Sequence, residues 1–173
     1  ELSAKELKQC LGKCQISSSH TVLKDTNIFI VTVPTPLKNK KPDLSLVIKA
    51  TKTSSIYFKK NCIFVLESTV YPGVTENICA KLIEKKTGLK YKLDFNCAYS
   101  PERINPGDKI RTIFNVTKVI GASNNRCLKI VKNIYSSFLG KNIHVTNDIK
   151  TAEASKVIEN AQRDLNIAFM NEI

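Results

Sequence analysis

The 173-residue chain carries six glycines, at positions 12, 73, 88, 107, 121 and 140, and no two stand close enough to form a G-x-G-x-x-G turn. That absence excludes, within this chain, the glycine-rich cradle that presents backbone N–H groups to a pyrophosphate. If the chain is a nucleotide-binding sheet, its first strand–helix–strand unit is expected upstream of Glu1. Histidine is scarce, with only His20 and His144, and none of the six cysteines at 10, 14, 62, 79, 97 and 127 makes a C-x-x-C pair. No metal site is therefore expected. The cysteine spacing calls for no disulfide framework, which fits a reducing, cytoplasmic setting. Cys62 and Cys97 fall in apolar runs, where a free thiol serves as a small hydrophobe. There is no signal-peptide pattern and no apolar run long enough to cross a membrane. The only methionine is Met170, and the last segment stops inside an apolar-periodic pattern. The chain thus reads as an internal piece of a longer protein.

What is present is ordinary for a globular domain: 42% hydrophobic and 24% charged residues, in a chain long enough for one real core. The net charge is +12. The lysines are scattered, not gathered into a block, so they read as a solvated surface rather than a nucleic-acid stripe. A bias towards anionic ligands such as nucleotides is compatible with that charge.

Strand and helix patterns alternate. A helix is expected over 2–14, with Ser3 as N-cap and Glu6 three residues on. Residues 26–33, TNIFIVTV, read as a strand buried on both faces and ended by Pro34-Thr35-Pro36. A helix follows, with Leu44, Val47, Ile48 and Thr51 at helical spacing. Residues 62–69 give a second strand, and 73–88 a helix with Ile78, Leu82 and Ile83 inward and Gly88 as its stop. Strands are expected over 94–100, 117–123 and 142–147, with a helix over 124–140 ending at Gly140. A long helix then occupies 151–173, capped by Thr151, with Glu153 near the positive end of its dipole. Its apolar stripe is Ala154, Val157, Ile158, Ala161, Leu165 and Ala168. Lys156, Asn160 and Asp164 form a polar line beside that stripe.

This alternation predicts an α/β fold, a doubly wound and mainly parallel sheet of Rossmann-like type, followed by the start of a long helix. The domain boundary is expected between 147 and 148. In such sheets ligands bind beyond the carboxyl ends of the strands. Three unusual peptides fall at those ends: Pro34-Thr35-Pro36, Glu67-Ser68-Thr69 and Ser100-Pro101-Glu102. The last belongs to AYSPERINPG, residues 98–107, where Pro101 and the Pro106-Gly107 turn stiffen the loop that holds Glu102 and Arg103.

Four segments in order, FIVTVPTP, ESTVYPGVTE, YSPERINPGD and AEASKVIENAQRDLNIAFMNEI, resemble the nucleotide-sugar 6-dehydrogenases, the UDP-glucose/GDP-mannose dehydrogenase family. The resemblance runs from about Thr26 onward and is nearest to the branch acting on UDP-N-acetylhexosamines for surface polysaccharides. It implies an NAD-dependent enzyme that oxidises the C6 alcohol of a UDP-sugar to a carboxylate in two hydride transfers. It also implies a homodimer built on the long helix, without nucleic-acid or membrane partners. The family's nucleophilic Cys is expected beyond Ile173, so none of the six cysteines is assigned that role, and this chain alone is expected to be inactive.

The resemblance carries residue roles as well. Pro34 and Thr35 match a segment lining the cofactor. Ser68 borders NAD, and Thr69 both borders it and orients the hydrolytic water. On the residues alone, the favoured reading is that both hydroxyls simply satisfy a strand-end turn. Glu102 matches the acidic residue that handles protons, against the alternative of a surface ion pair with Arg103. Glu102, Arg103, Ile104, Asn105 and Pro106 fall where the substrate loop lies. Lys156 and Asn160, one turn apart, match a pair that contacts substrate and stabilises oxyanions at C6. Members acting on UDP-glucose have a second acidic residue where this chain has Pro106, a change compatible with an N-acetylated sugar. Two other readings stand beside this one: a truncated, inactive Rossmann-like remnant, and a basic nucleic-acid-binding domain.

Overall fold

The computed structural model describes residues 8–10, 12–102 and 116–173. Its main sheet has five strands: β1 (Ile28–Val31), β4 (Ile63–Leu66), β5 (Asn96–Tyr99), β6 (Lys118–Ala122) and β7 (Ile143–Val145), side by side in that order. β1, β4 and β5 run parallel, with Val31 opposite Leu66 and Leu66 opposite Tyr99. β6 is antiparallel to β5, and β7 is parallel to β6. A small hairpin, β2 (Leu37–Lys38) and β3 (Lys41–Pro42), stands apart.

All four residues of β4 are buried, as a central strand covered on both faces requires. One face carries Phe64, Leu66, Phe95 and Tyr99. It is covered by α1 (Ser45–Ser55), by α2 (Lys81–Thr87) with its leading turn, and by the start of α4 (Ile149–Glu172). The other carries Ile63, Val65, Ala98 and Ile120 under α3 (Asn125–Leu139), whose Cys127, Val131, Tyr135 and Leu139 recur every fourth residue. Helices therefore lie on both faces of the sheet, as the alternation predicts.

β1 departs from expectation. Phe29 and Val31 are buried, but Ile30 is 44% exposed. Among the described residues β1 is an edge strand, and no helix covers its second face. The predicted helix over 73–88 is a π-helical stretch, Val74–Ala80, that tightens into α2. It starts at Gly73 (φ 98°) and stops at Gly88 (φ 75°), two left-handed positions suited to glycine. Residues 8–10 are helical, whereas Ser3 and Glu6 lie outside the described residues.

The long helix begins earlier than predicted. Asp148, not Thr151, is its N-cap, and the Asp148 carboxylate accepts from the Thr151 amide at 2.7 Å. The early start is set by packing: Ile149 and Ala152 are buried against β6. They approach it so closely that a Cβ on Gly121 would lie 2.5 Å from the Asp148 carbonyl oxygen. Further along, the stripe emerges from cover, with Val157 39%, Ile158 65% and Leu165 70% exposed.

Candidate functional site

Because β1, β4 and β5 are parallel and in register, their carboxyl ends reach one rim of the sheet. There the chain leaves as Thr32–Pro36, Glu67–Val70 and Ser100–Glu102. A cavity of about 340 Å³ opens between these segments, lined by Thr32 to Thr35, Glu67 to Thr69, and Glu102. Five residues singled out in the sequence, Pro34, Thr35, Ser68, Thr69 and Glu102, thus meet in one place. Arg103, Ile104, Asn105 and Pro106 lie outside the described residues.

Two hydroxyls join the loops. Thr35 Oγ1 donates to the Thr69 carbonyl at 2.7 Å, and Ser68 Oγ donates to the Val33 carbonyl at 2.6 Å. For Ser68 the turn-satisfying role is therefore realised, and it fixes the β1 loop against the β4 loop. Ser68 is buried, whereas Thr69 and Glu102 are exposed towards the opening.

Beneath the cavity lies a buried polar cluster that the sequence reading missed. Lys118, at the start of β6, is only 9% exposed. Its ammonium stands 3.4 Å from Glu67 Oε1 and 3.4 Å from the Ser100 carbonyl, and lies over the Tyr135 ring at 4.7 Å. The Tyr135 hydroxyl donates to Glu67 Oε1, and Ser100 Oγ donates to the Val119 carbonyl at 2.8 Å. Burial, with the Glu67 carboxylate beside it, pushes the Tyr135 hydroxyl well above the ordinary phenol range, so it stays a donor. The available signal was a lysine opening the apolar run KVIGA and a glutamate directly before Ser-Thr.

Lys156 and Asn160 do not line this cavity. They ride on α4, which starts against Gly121 and is fastened to the rim by Glu153. Glu153 is fully buried, not at an exposed helix start. Its carboxylate accepts from the Gly73 amide at 2.5 Å, the Thr75 amide at 2.9 Å and Thr75 Oγ1 at 2.7 Å. These donors head the segment that follows Thr69, so one carboxylate caps that helical start and ties α4 to it. Burial pushes the Glu153 carboxyl above the usual range, against the pull of the Thr75 and Gly73 donors. Lys156 and Asn160 come one and two turns further on, where α4 emerges from its buried start. The Asn160 amide oxygen accepts from Arg163 at 2.7 Å, which directs the amide nitrogen elsewhere as a donor.

The buried cysteines are unsuited to nucleophilic work. Cys62, Cys79, Cys97 and Cys127 are buried and line no part of the rim cavity. Burial pushes Cys79 and Cys127 up to about 11 and holds Cys97 well above its ordinary value.

A Rossmann-like sheet with its polar cavity at the carboxyl rim defines a nucleotide-binding class of fold. Residues 3–139 match the NAD binding domain of the UDP-glucose/GDP-mannose dehydrogenase family, and the chain belongs to that family. It is 44% identical over its whole length to UDP-N-acetyl-D-glucosamine 6-dehydrogenase of Pseudomonas aeruginosa, covering 41% of that protein. It is 47% identical over 92% of its length to Protein CapL of Staphylococcus aureus, covering 38% of it. Among solved structures, UDP-D-ManNAc dehydrogenase from Pyrococcus horikoshii superposes on 96% of this chain with a TM-score of 0.88 at 36% identity, and this chain covers 40% of that one. The chain therefore spans about two fifths of the length of the curated relatives it matches.

Proposed function

We propose that the chain is part of an NAD-dependent dehydrogenase that oxidises the C6 alcohol of a UDP-N-acetylhexosamine to the uronic acid. Residues 1–147 form the later portion of the NAD domain, and 148–173 open the helical dimerisation domain. The observation that carries the reading is the meeting of Pro34, Thr35, Ser68, Thr69 and Glu102 in one cavity at the strand ends. The names of the 44% and 36% identical relatives, which specify N-acetylated UDP-sugars, support the substrate class.

The cavity suits one mononucleotide half of a dinucleotide. It is polar-rimmed and of modest size, and the six glycines offer no pyrophosphate cradle. Pro34, Thr35, Ser68 and Thr69 hold that half. NAD, when bound, supplies the hydride acceptor. The chain's own residues do the rest. Glu102, exposed at the opening, exchanges protons with the sugar hydroxyl or with water. The Thr69 hydroxyl orients the water that releases the carboxylate. Lys156 and Asn160 donate to the oxygen at C6 as it gains negative charge, each contributing on the order of 3 kcal/mol to the lowered barrier. Arg103, Ile104, Asn105 and Pro106 complete the sugar-binding loop. The protein is a cytoplasmic homodimer that pairs through the long helix and serves surface polysaccharide synthesis.

The test is NADH formation by the full-length protein with UDP-N-acetylglucosamine, UDP-N-acetylgalactosamine, UDP-N-acetylmannosamine and UDP-glucose. An N-acetylated sugar should be the preferred substrate and should yield two NADH per molecule. Absence of NADH with every sugar refutes the reading.

A further inference from the structure

The two loops that carry Thr69 and Glu102 leave from neighbouring strands, and among the described residues no hydrogen bond joins those two side chains directly. The Ser100 amide donates to the Leu66 carbonyl at 3.0 Å where the ladder ends, and beyond that bond Lys118 joins them. Its ammonium contacts Glu67 Oε1, two residues before Thr69, and the Ser100 carbonyl, two residues before Glu102, both at 3.4 Å. The lysine comes from a third strand, antiparallel to β5, whose first residue therefore lies at the same rim. Its side chain is confined: the ammonium rests on the Tyr135 ring, whose hydroxyl in turn donates to Glu67. The Ser100 hydroxyl, bonded to the Val119 carbonyl at 2.8 Å, fixes the same loop to β6 a second time.

We propose that Lys118 is a positioning residue: it bridges the Glu67–Thr69 and Ser100–Glu102 segments from below and so sets Thr69 against Glu102 across the cavity. Burying an ammonium in a core is costly unless it is paired, and a helix-covered strand needs only an apolar residue at that place. The charge serves geometry. A single cation between a carboxylate and a carbonyl holds two loops at one spacing, whereas an apolar side chain would fill the volume without fixing the distance. Glu67 belongs to the same device, since it receives both the ammonium and the Tyr135 hydroxyl while lining the cavity floor.

The inference rests on the dehydrogenase reading, and its test separates the two. Lys118→Met in the full-length protein keeps an unbranched apolar stem and removes the bridge. Its kcat for NADH formation should fall about 10- to 100-fold, the scale of an ångström-size misplacement of reacting groups, while KM for the UDP-sugar changes by less than about threefold. Hydrogen exchange at the Ser68, Thr69 and Glu102 amides should quicken about tenfold. A second variant, Glu67→Gln with Lys118→Met, neutralises the carboxylate that has lost its cation and should recover thermal stability but not kcat. The proposal is overturned if kcat of Lys118→Met stays within about twofold of wild type, or if kcat returns together with stability in the double variant. If wild type makes no NADH, the dehydrogenase reading fails on its own. The exchange rates then decide whether Lys118 bridges the loops, and unchanged rates overturn the bridge.

Discussion

Gly121→Ala should loosen the joint on which the long helix stands. Gly121 lies in β6 opposite Tyr99, with α4 directly above it. A Cβ there would meet the Asp148 carbonyl oxygen at 2.5 Å, Ile149 Cα at 2.9 Å and Ala152 Cβ at 2.9 Å. None of these is a flexible side-chain end that can swing away. To reach an ordinary contact near 3.4 Å the start of α4 must retreat by about 0.9 Å. Overpacking of this kind costs about 1–3 kcal/mol. The retreat also stretches the three bonds of Glu153 to Gly73 and Thr75, which lie one turn further along the same helix. Lys156 and Asn160 ride on the displaced segment, so activity should fall by up to about 100-fold. Urea unfolding of the full-length protein measures the first effect, and NADH formation the second. Gly88→Ala is the contrasting variant. Its φ of 75° makes any side chain strained, but its Cβ would meet nothing within 4 Å. It should cost about 1–2 kcal/mol and leave activity intact. A Gly121→Ala protein within about 0.5 kcal/mol of wild type would refute the close-approach argument.

Glu153→Ala leaves the Gly73 and Thr75 donors without their acceptor and should cost about 2–4 kcal/mol in unfolding measurements. Glu153 also carries a pH signature. Its folded-state value is raised, so the folded protein holds that proton more tightly than the unfolded chain. Its contribution is then most favourable below the ordinary 4.5 and is lost as pH rises through the folded value. The stability gap between wild type and Glu153→Gln should therefore narrow as pH rises above the ordinary 4.5 through the raised folded value, and a widening gap would show the sign to be wrong. Native-state alkylation followed by peptide mass analysis should label Cys10 and Cys14, which are exposed, and spare Cys62, Cys79, Cys97 and Cys127 until denaturant is added. Lys156→Ala and Asn160→Ala should each lower kcat by about 100-fold or more, with unfolding midpoints near wild type, because both side chains sit outside the core.

Much of this architecture was legible because its signals are local. Ile63 to Leu66 is an unbroken apolar run, and a strand buried on both faces follows directly. Pro34 and Pro101 each stop a strand, and in a parallel sheet those stops must share a rim, which is why five site residues were found together. The α3 helix showed its end through Gly140, and the structure stops it there, with Asn124 capping its start. The misses are non-local. Glu153 looks like a helix-start carboxylate in sequence, but its partners lie 78 and 80 residues away. Lys118 reads as an ordinary flank of a strand until Glu67 and Ser100 converge on it. Thr151 was a reasonable cap by residue type. The contact of Ile149 and Ala152 with Gly121 pulls Ile149 and Lys150 into the helix, and Asp148 then takes the capping place. Ile30 stayed partly exposed because burial of an edge strand's second face depends on neighbours that its own sequence does not encode.

The most direct test of the site is a crystal structure of the full-length protein with NAD and a UDP-N-acetylhexosamine bound. The account expects one mononucleotide half of the cofactor against Thr35, Ser68 and Thr69, with the sugar C6 between Glu102 and the Lys156–Asn160 pair. Cofactor bound away from the rim of β1, β4 and β5, or a sugar C6 remote from both Glu102 and Lys156, would contradict it.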